Sequence, residues 1–269
     1  MRPCVIDGIR IGGGAPVRLM GVINCSPESF YSGSYAAAPD VYDRAARMHE
    51  QGADLLDIGA RSTAPAAPPL SVAEEITRID AALTELDGTG FPVSVDTVHP
   101  EVLEVCLRHE IHGINDIRGL ADADFARLAA ESGLPVVAMA SVTRPGDAVG
   151  FDATLQALRA VQERCVRYGI ENYILDPGVG RWTPERSSED DWEICRRFDE
   201  FQALDRPLLA AISRKTFIGD LLGRPAQGRL AGTLAATLML IERGAAAVRC
   251  HDVQETADLL KVYEEMVKA

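Results

Sequence analysis

Two periods alternate along the chain: short runs that are apolar throughout, and longer segments in which apolar residues recur every three or four positions. The short runs are "VRLMGVIN", "ADLLDIG", "FPVSVD", "HGIND", "PVVAMA", "NYILD", "PLLAAIS" and "AAVRC". They lack the alternation of a half-exposed sheet, so they predict parallel strands covered on both faces by helices. The 3.6-residue period predicts helices near 39–51, 71–87, 99–109, 122–132, 151–169, 188–203, 228–243 and 252–267. Ser71 with Glu74 forms a capping-box pattern, and Pro100 suits a first helical turn that has no use for its N–H. Gly52, Gly133, Gly169 and Gly244 each stand between a helical segment and a strand run, where a chain reversal needs a residue free to turn left-handed.

Eight such βα repeats without a break in composition predict one α/β domain over 1–269, a (β/α)8 TIM barrel. A doubly wound open sheet is the alternative, because periodicity does not show closure. The opening "CVIDGIRIG" reads as a β-hairpin turning at Asp7-Gly8 and closing the bottom of the barrel.

A formal net charge of -13 opposes any partner rich in phosphates, so nucleic acid and anionic membranes are not expected. "LAGTLAATLMLI" is too short to span a bilayer and reads as a buried helix. Six cysteines without a CxxC pair suggest neither zinc nor disulfides. With no signal-peptide pattern at the start, the chain reads as cytoplasmic.

Polar residues stand where nearly every strand run ends: Asn24, Asp57, Asp96, Asn115, Asp176, Ser213 with Lys215, and Arg249 with His251. Any one of them suits a helix cap. Together they predict a ring of ligand-binding groups at one barrel mouth. Carboxylates and Asn115 suit the ring N–H and amino groups of a flat, nitrogen-rich heterocycle, and Lys215, Arg249 and His251 suit a phosphate or diphosphate. Asn24 offers a carbonyl oxygen to Mg2+. His49, His99, His109 and His112 have no catalytic partner at a recognisable spacing, and Cys25 is a nucleophile by position alone. "IGGG" precedes a strand, the wrong order for a dinucleotide fingerprint.

"LMGVINCSPESF", "ADLLDIGARSTAP", "VSVDT", "GINDIRG", "YILDPGVG", "AAISRKTFIGDLL" and "AVRCHDVQET", in this order and over nearly the whole chain, resemble the dihydropteroate synthase family. The resemblance implies a TIM barrel, usually a homodimer, that condenses a dihydropterin diphosphate with an arylamine and releases pyrophosphate. It implies that Asp96, Asn115, Asp176 and Lys215 hold the pterin, with Asp57, Thr63 and Ser213 also on substrate. Asn24, Arg249 and His251 would hold the pyrophosphate, Asn24 touching Mg2+ as well; Asn24, Lys215, Arg249 and His251 would thus carry the chemistry. Pyrophosphate would leave first, and the amine nitrogen would attack the resulting pterin methylene cation, beside which Glu28 is expected.

Departures from the family pattern gather on the amine side: Ala64 where Arg is usual, Ala140 where His usually follows Met, and Arg181-Trp182 where an aromatic and Gly-Lys usually stand. They suggest the archaeal-type branch of methanopterin synthesis, whose amine is a ribofuranosylaminobenzene phosphate rather than p-aminobenzoate. Two further readings share the pterin pocket: a corrinoid-linked, methyltetrahydrofolate-type methyltransferase, which has no pyrophosphate to hold, and a non-catalytic pterin-binding protein.

Overall fold

The structure, a computed structural model, describes residues 1–26, 36–37, 40–61 and 70–268. Strands β1 (Cys4–Ile6) and β2 (Ile9–Ile11) form the antiparallel hairpin, with Cys4 opposite Ile11 and Ile6 opposite Ile9. Asp7 and Gly8 turn it with φ of 46° and 75°, the two left-handed residues a tight hairpin needs.

Eight parallel strands follow: β3 (Arg18–Asn24), β4 (Leu55–Gly59), β5 (Val93–Asp96), β6 (Gly113–Asp116), β7 (Val136–Met139), β8 (Tyr173–Asp176), β9 (Leu208–Ala210) and β10 (Ala245–Cys250). They pair in the order β10-β3-β4-β5-β6-β7-β8-β9 and close, because β10 hydrogen-bonds to β3 on one side and β9 on the other. That closure removes the open-sheet alternative.

The helices among the described residues are α1 (Val41–Glu50), α2 (Val72–Thr84), α3 (Pro100–Cys106), α4 (Ala123–Ser132), α5 (Phe151–Tyr168), α6 (Ser188–Arg196), α7 (Thr216–Leu222), α8 (Leu230–Glu242) and α9 (Val253–Val267). Ser71 and Glu74 make both bonds of the capping box, and Gly133 and Gly169 cap α4 and α5 at φ of 69° and 74°. The helical period missed α7, because seven residues show too little of a 3.6 repeat. The expected 188–203 helix ends at Arg196 and passes into a 3-10 segment, Phe198–Leu204. The outer side of α8 is also less covered than a buried helix would be, with Leu238 and Met239 exposed.

Two apolar layers hold these parts together. Outside the barrel, residues such as Ile23, Ile58, Val95 and Leu175 pack against helix residues including Phe125, Phe151 and Phe198. Inside the bottom, Cys4, Ile6 and Ile11 of the hairpin meet Met20, Leu55, Val137, Ile174, Leu209 and Ala247. Asn172, just before β8, pins the hairpin by accepting from the Val5 N–H at 2.9 Å and donating to the Val5 carbonyl at 2.6 Å.

Candidate active site

Asp57 lies at the middle of β4, fully buried, with its side chain turned into the barrel. Its Oδ1 accepts from the Ser94 hydroxyl at 2.6 Å and its Oδ2 from the Asn115 amide at 2.9 Å. Register sets this up, since Asp57 pairs with Ser94 across β4 and β5 and Asn115 lies beside Asp96 across β5 and β6. From β10, on the far side of β3, Arg249 reaches over to both acids. Its Nη2 donates to Oδ2 of Asp96 at 2.7 Å, and its Nε lies 2.7 Å from Oδ2 of Asp57 in an ion pair without hydrogen-bond alignment. Burial pushes the Asp96 carboxyl well above the usual carboxylate range, against the opposing pull of Arg249. The Arg249 guanidinium is thus held between two carboxylates.

The second cluster joins β8 to the loop after β9. Asp176 accepts from the Gly178 N–H at 2.7 Å, and burial raises its carboxyl, with Lys215 opposing. Lys215 is the N-cap residue of α7; its ammonium donates to the Val179 carbonyl and lies 5.2 Å from the centre of the Trp182 ring. Burial lowers its pKa to about 8, with Asp176 and Asp191 opposing. Trp182 is fixed in turn, its Nε1 donating to the Gly178 carbonyl at 2.8 Å.

His251 stands just beyond β10, its Nδ1 2.9 Å from the Ser213 hydroxyl. Burial and the charges of Arg249, Arg214 and Lys215 push its pKa down to about 3. Without an anion beside it the ring is thus neutral, held down by burial and by the cations around it. Asn24 ends β3 beside Gly59, whose missing side chain leaves room between Asn24 and Asp96: a Cβ there would lie 3.9 Å from Asn24 Oδ1 and 3.5 Å from Asp96 Cβ.

The sequence profile of the pterin binding enzyme family matches residues 20–251, most of the chain and every strand of the closed barrel. The chain belongs to that family. A dihydropteroate synthase of Escherichia coli K12 is 34% identical over 263 residues, covering 93% of this chain and 92% of its own. The dihydropteroate synthase of Xanthomonas albilineans, solved with 4-aminobenzoic acid, superposes with a TM-score of 0.85 at 32% identity over 99% of this chain and 98% of its own. That of Thermus thermophilus, solved in complex with 6HMPPP, gives 0.81 at 33% identity over 98% of this chain and all of its own. Nothing among such relatives supports the methanopterin branch that the amine-side departures suggested.

Within this pterin-binding barrel the structure brings Asn24, Asp57, Asp96, Asn115, Asp176, Ser213, Lys215, Arg249 and His251 to one mouth. Thr63, Ala64 and Glu28 lie outside the described residues. Ala140 is buried and bonded through its N–H to the Asp176 carbonyl, whereas Arg181 is exposed. His109 sits between Asp80 and Asp87, away from the mouth, and His112 accepts from the Val93 N–H below it. Burial pushes the Cys25 thiol up to about 12, which leaves it a poor nucleophile.

Sequence reasoning missed the residues behind the ring. Ser94 orients Asp57. Arg214, left-handed at φ 55°, makes a two-pronged pair with Asp252 at 2.7 Å and ties the loop after β9 to the one after β10. Glu75, nearly fully buried, accepts from Arg61 at 2.7 Å and from Thr97 at 2.8 Å. Glu75 drew no attention in the sequence, where it follows the capping-box Glu74 as one more charge in a first helical turn.

Proposed function

We propose that this chain condenses a 7,8-dihydropterin carrying a hydroxymethyl diphosphate with p-aminobenzoate, releasing diphosphate. The observation that carries this is the adjacency of the two clusters. Arg249 among Asp57, Asp96 and Asn115 stands beside Lys215 and Asp176, at the mouth of a barrel whose 32–34% identical relatives are dihydropteroate synthases.

Asp96, Asp176 and Asn115 offer acceptors to the pterin's N–H and amino groups, and Lys215 offers a donor to its carbonyl. Pterin capture competes with the Arg249–Asp96 ion pair and frees the guanidinium to turn to the diphosphate, joined by His251. The C–O bond to diphosphate breaks with its electron pair leaving on oxygen, and Arg249 stabilises that charge. The buried carboxylates stabilise the methylene cation left behind. The arylamine nitrogen then forms the C–N bond and gives its proton to solvent or to the departing diphosphate.

Among the described residues no three His, Cys, Asp or Glu side chains gather into a metal cage. Asn24 offers a neutral carbonyl oxygen at the mouth, which fits Mg2+ carried chiefly by diphosphate and water. Bound there, Mg2+ would supply further charge neutralisation at the leaving oxygens. The exposed apolar residues Leu238, Met239, Val262 and Met266 on α8 and α9 suit a homodimer interface. Six free, buried thiols suit a reducing cytoplasm. No described helix is long and apolar enough to cross a membrane.

The test mixes purified protein with Mg2+, the dihydropterin diphosphate and either p-aminobenzoate or a ribofuranosylaminobenzene phosphate, following diphosphate release and product mass. An adduct with p-aminobenzoate is expected. An adduct with the ribosylated amine alone would return the chain to methanopterin synthesis. Pterin binding without an adduct from either would make it a binding protein or a methyltransferase.

A further inference from the structure

Behind the loop that touches Lys215 lies an ion pair that the proposed chemistry does not use. Asp191 and Arg186 are 0% and 2% exposed, with Arg186 Nε 2.9 Å from Asp191 Oδ1. The same oxygen accepts from the Gly180 N–H at 2.8 Å. The capping box of Ser187 and Asp190 fixes the start of α6, and with it the position of Asp191, the fourth residue of the helix. Arg186 Nη2 and Asp191 Oδ2 have no hydrogen-bond partner among the described residues, so the pair is not a fully satisfied structural brace.

Gly180 is held between this pair and Lys215. Its N–H faces Asp191, and the preceding carbonyl, of Val179, accepts from the Lys215 ammonium. Its φ of 134° and an absent Cβ let the lysine lie against it: a Cβ there would stand 2.9 Å from Lys215 Cδ and 3.1 Å from Nζ. A side chain at 180 would push the lysine out of the mouth. Nothing in packing alone requires charges here, since a buried ion pair is commonly replaceable by apolar residues without loss of stability.

We infer that Asp191, with Arg186 as its counter-ion, is a positioning residue that fixes the Val179–Gly180 edge of the loop after β8 and thereby places and keeps charged the ammonium of Lys215. The groups facing that ammonium are Asp176 from β8, Asp191 from α6, Arg249 from β10 and Arg186 from the loop, and Asp191 is one of the two carboxylates offsetting the burial of the lysine. The inference rests on Lys215 as a substrate-holding group in the proposed condensation, but its first test does not.

Trp182, 5.2 Å from the ammonium, is the reporter. The chain has two tryptophans, so Trp192→Phe leaves Trp182 as the only one, read with excitation selective for tryptophan. In that background emission should titrate with Lys215, and Lys215→Met should abolish the transition. Asp191→Asn keeps an oxygen for Gly180 but removes the charge, so the midpoint should fall by about 0.5 to 1 pH unit. The basic limb of the kcat/KM profile should fall with it. Arg186→Met with Asp191→Leu removes the pair in a form suited to a core. That double variant should stay folded, with a modest fall in Tm for the orphaned Gly180 N–H, while losing about tenfold or more in kcat/KM. An unmoved midpoint in Asp191→Asn, or a folded double variant within twofold of the parent, overturns the inference. If no amine is turned over at all, the emission titration still decides it, so failure of the proposed reaction and failure of this inference remain distinguishable.

Discussion

The two ends of the barrel are built from the same strands and have opposite chemistry. On β4, Leu55 belongs to the apolar cluster that seals the bottom, and Asp57, two residues on and facing the same interior, holds Asn115 and Ser94. On β8 the same step runs from Ile174 to Asp176, and on β10 from Ala247 to Arg249. One pleat of strand, about 7 Å, separates a side chain sealed against a hairpin from one that faces the mouth. The lesson is a division of labour. The bottom buries apolar groups with every partner supplied by the chain itself, while the mouth holds Arg249 between two acids and Lys215 against a backbone carbonyl, contacts that a ligand can exchange.

Substitutions should therefore separate stability from activity according to which end they touch. The largest effect is expected at the mouth: Arg249→Met should lower kcat/KM about a hundredfold or more, measured by diphosphate release, because it removes the charge that the proposed mechanism turns to the leaving group. Lys215→Ala and Asp176→Asn should do likewise, and a loss under about tenfold would remove either residue from direct substrate contact.

At the bottom, Ile6→Ala should cost about 3 kcal/mol in urea unfolding, as large-to-small changes in a packed core do, with kcat unchanged below the transition. A matching loss of kcat would mean that the two ends are coupled.

Raising the pH should also distinguish them. Unfolded thiols ionise near pH 8.5, whereas burial pushes all six thiols here up to about 12. Between those values the unfolded chain has shed protons that the folded chain retains, so stability falls as pH rises, by up to about 1.4 kcal/mol per unit for each thiol. Lys215, depressed to about 8, opposes this with one group's worth, because the unfolded lysine holds its proton to higher pH. Tm should thus decline above about pH 9. If Lys215 holds the substrate as proposed, kcat/KM should already decline through about pH 8, the value to which burial lowers that lysine. The smallest change is expected from Ser71→Ala, which breaks the capping box of α2 for about 1 kcal/mol and leaves the rate alone.

How much was legible follows from the range of each interaction. The Ser71–Glu74 capping box, the Gly C-caps and the tight turn at Asp7-Gly8 join residues within a few positions, so their residue types announce them. The run of polar residues after apolar ones was equally local, and it picked out the ring before any strand was paired. The seven residues of α7 were too few for their period to register. The Arg186–Asp191 pair gave no signal because two opposite charges five residues apart, next to a predicted helix, read as ordinary surface.

The sequence by itself determined the alternation of strands and helices, the hairpin and the residue types gathered at the strand ends, because hydrophobic period, turn chemistry and capping act over a turn or a pleat. Closure was decided only in three dimensions, when β10 paired with β3 and carried Arg249 to acids more than 150 positions earlier. So were the charge states of the mouth. A side chain's proton affinity depends on how much water the fold removes and which charges it leaves nearby, and no local stretch of sequence contains either.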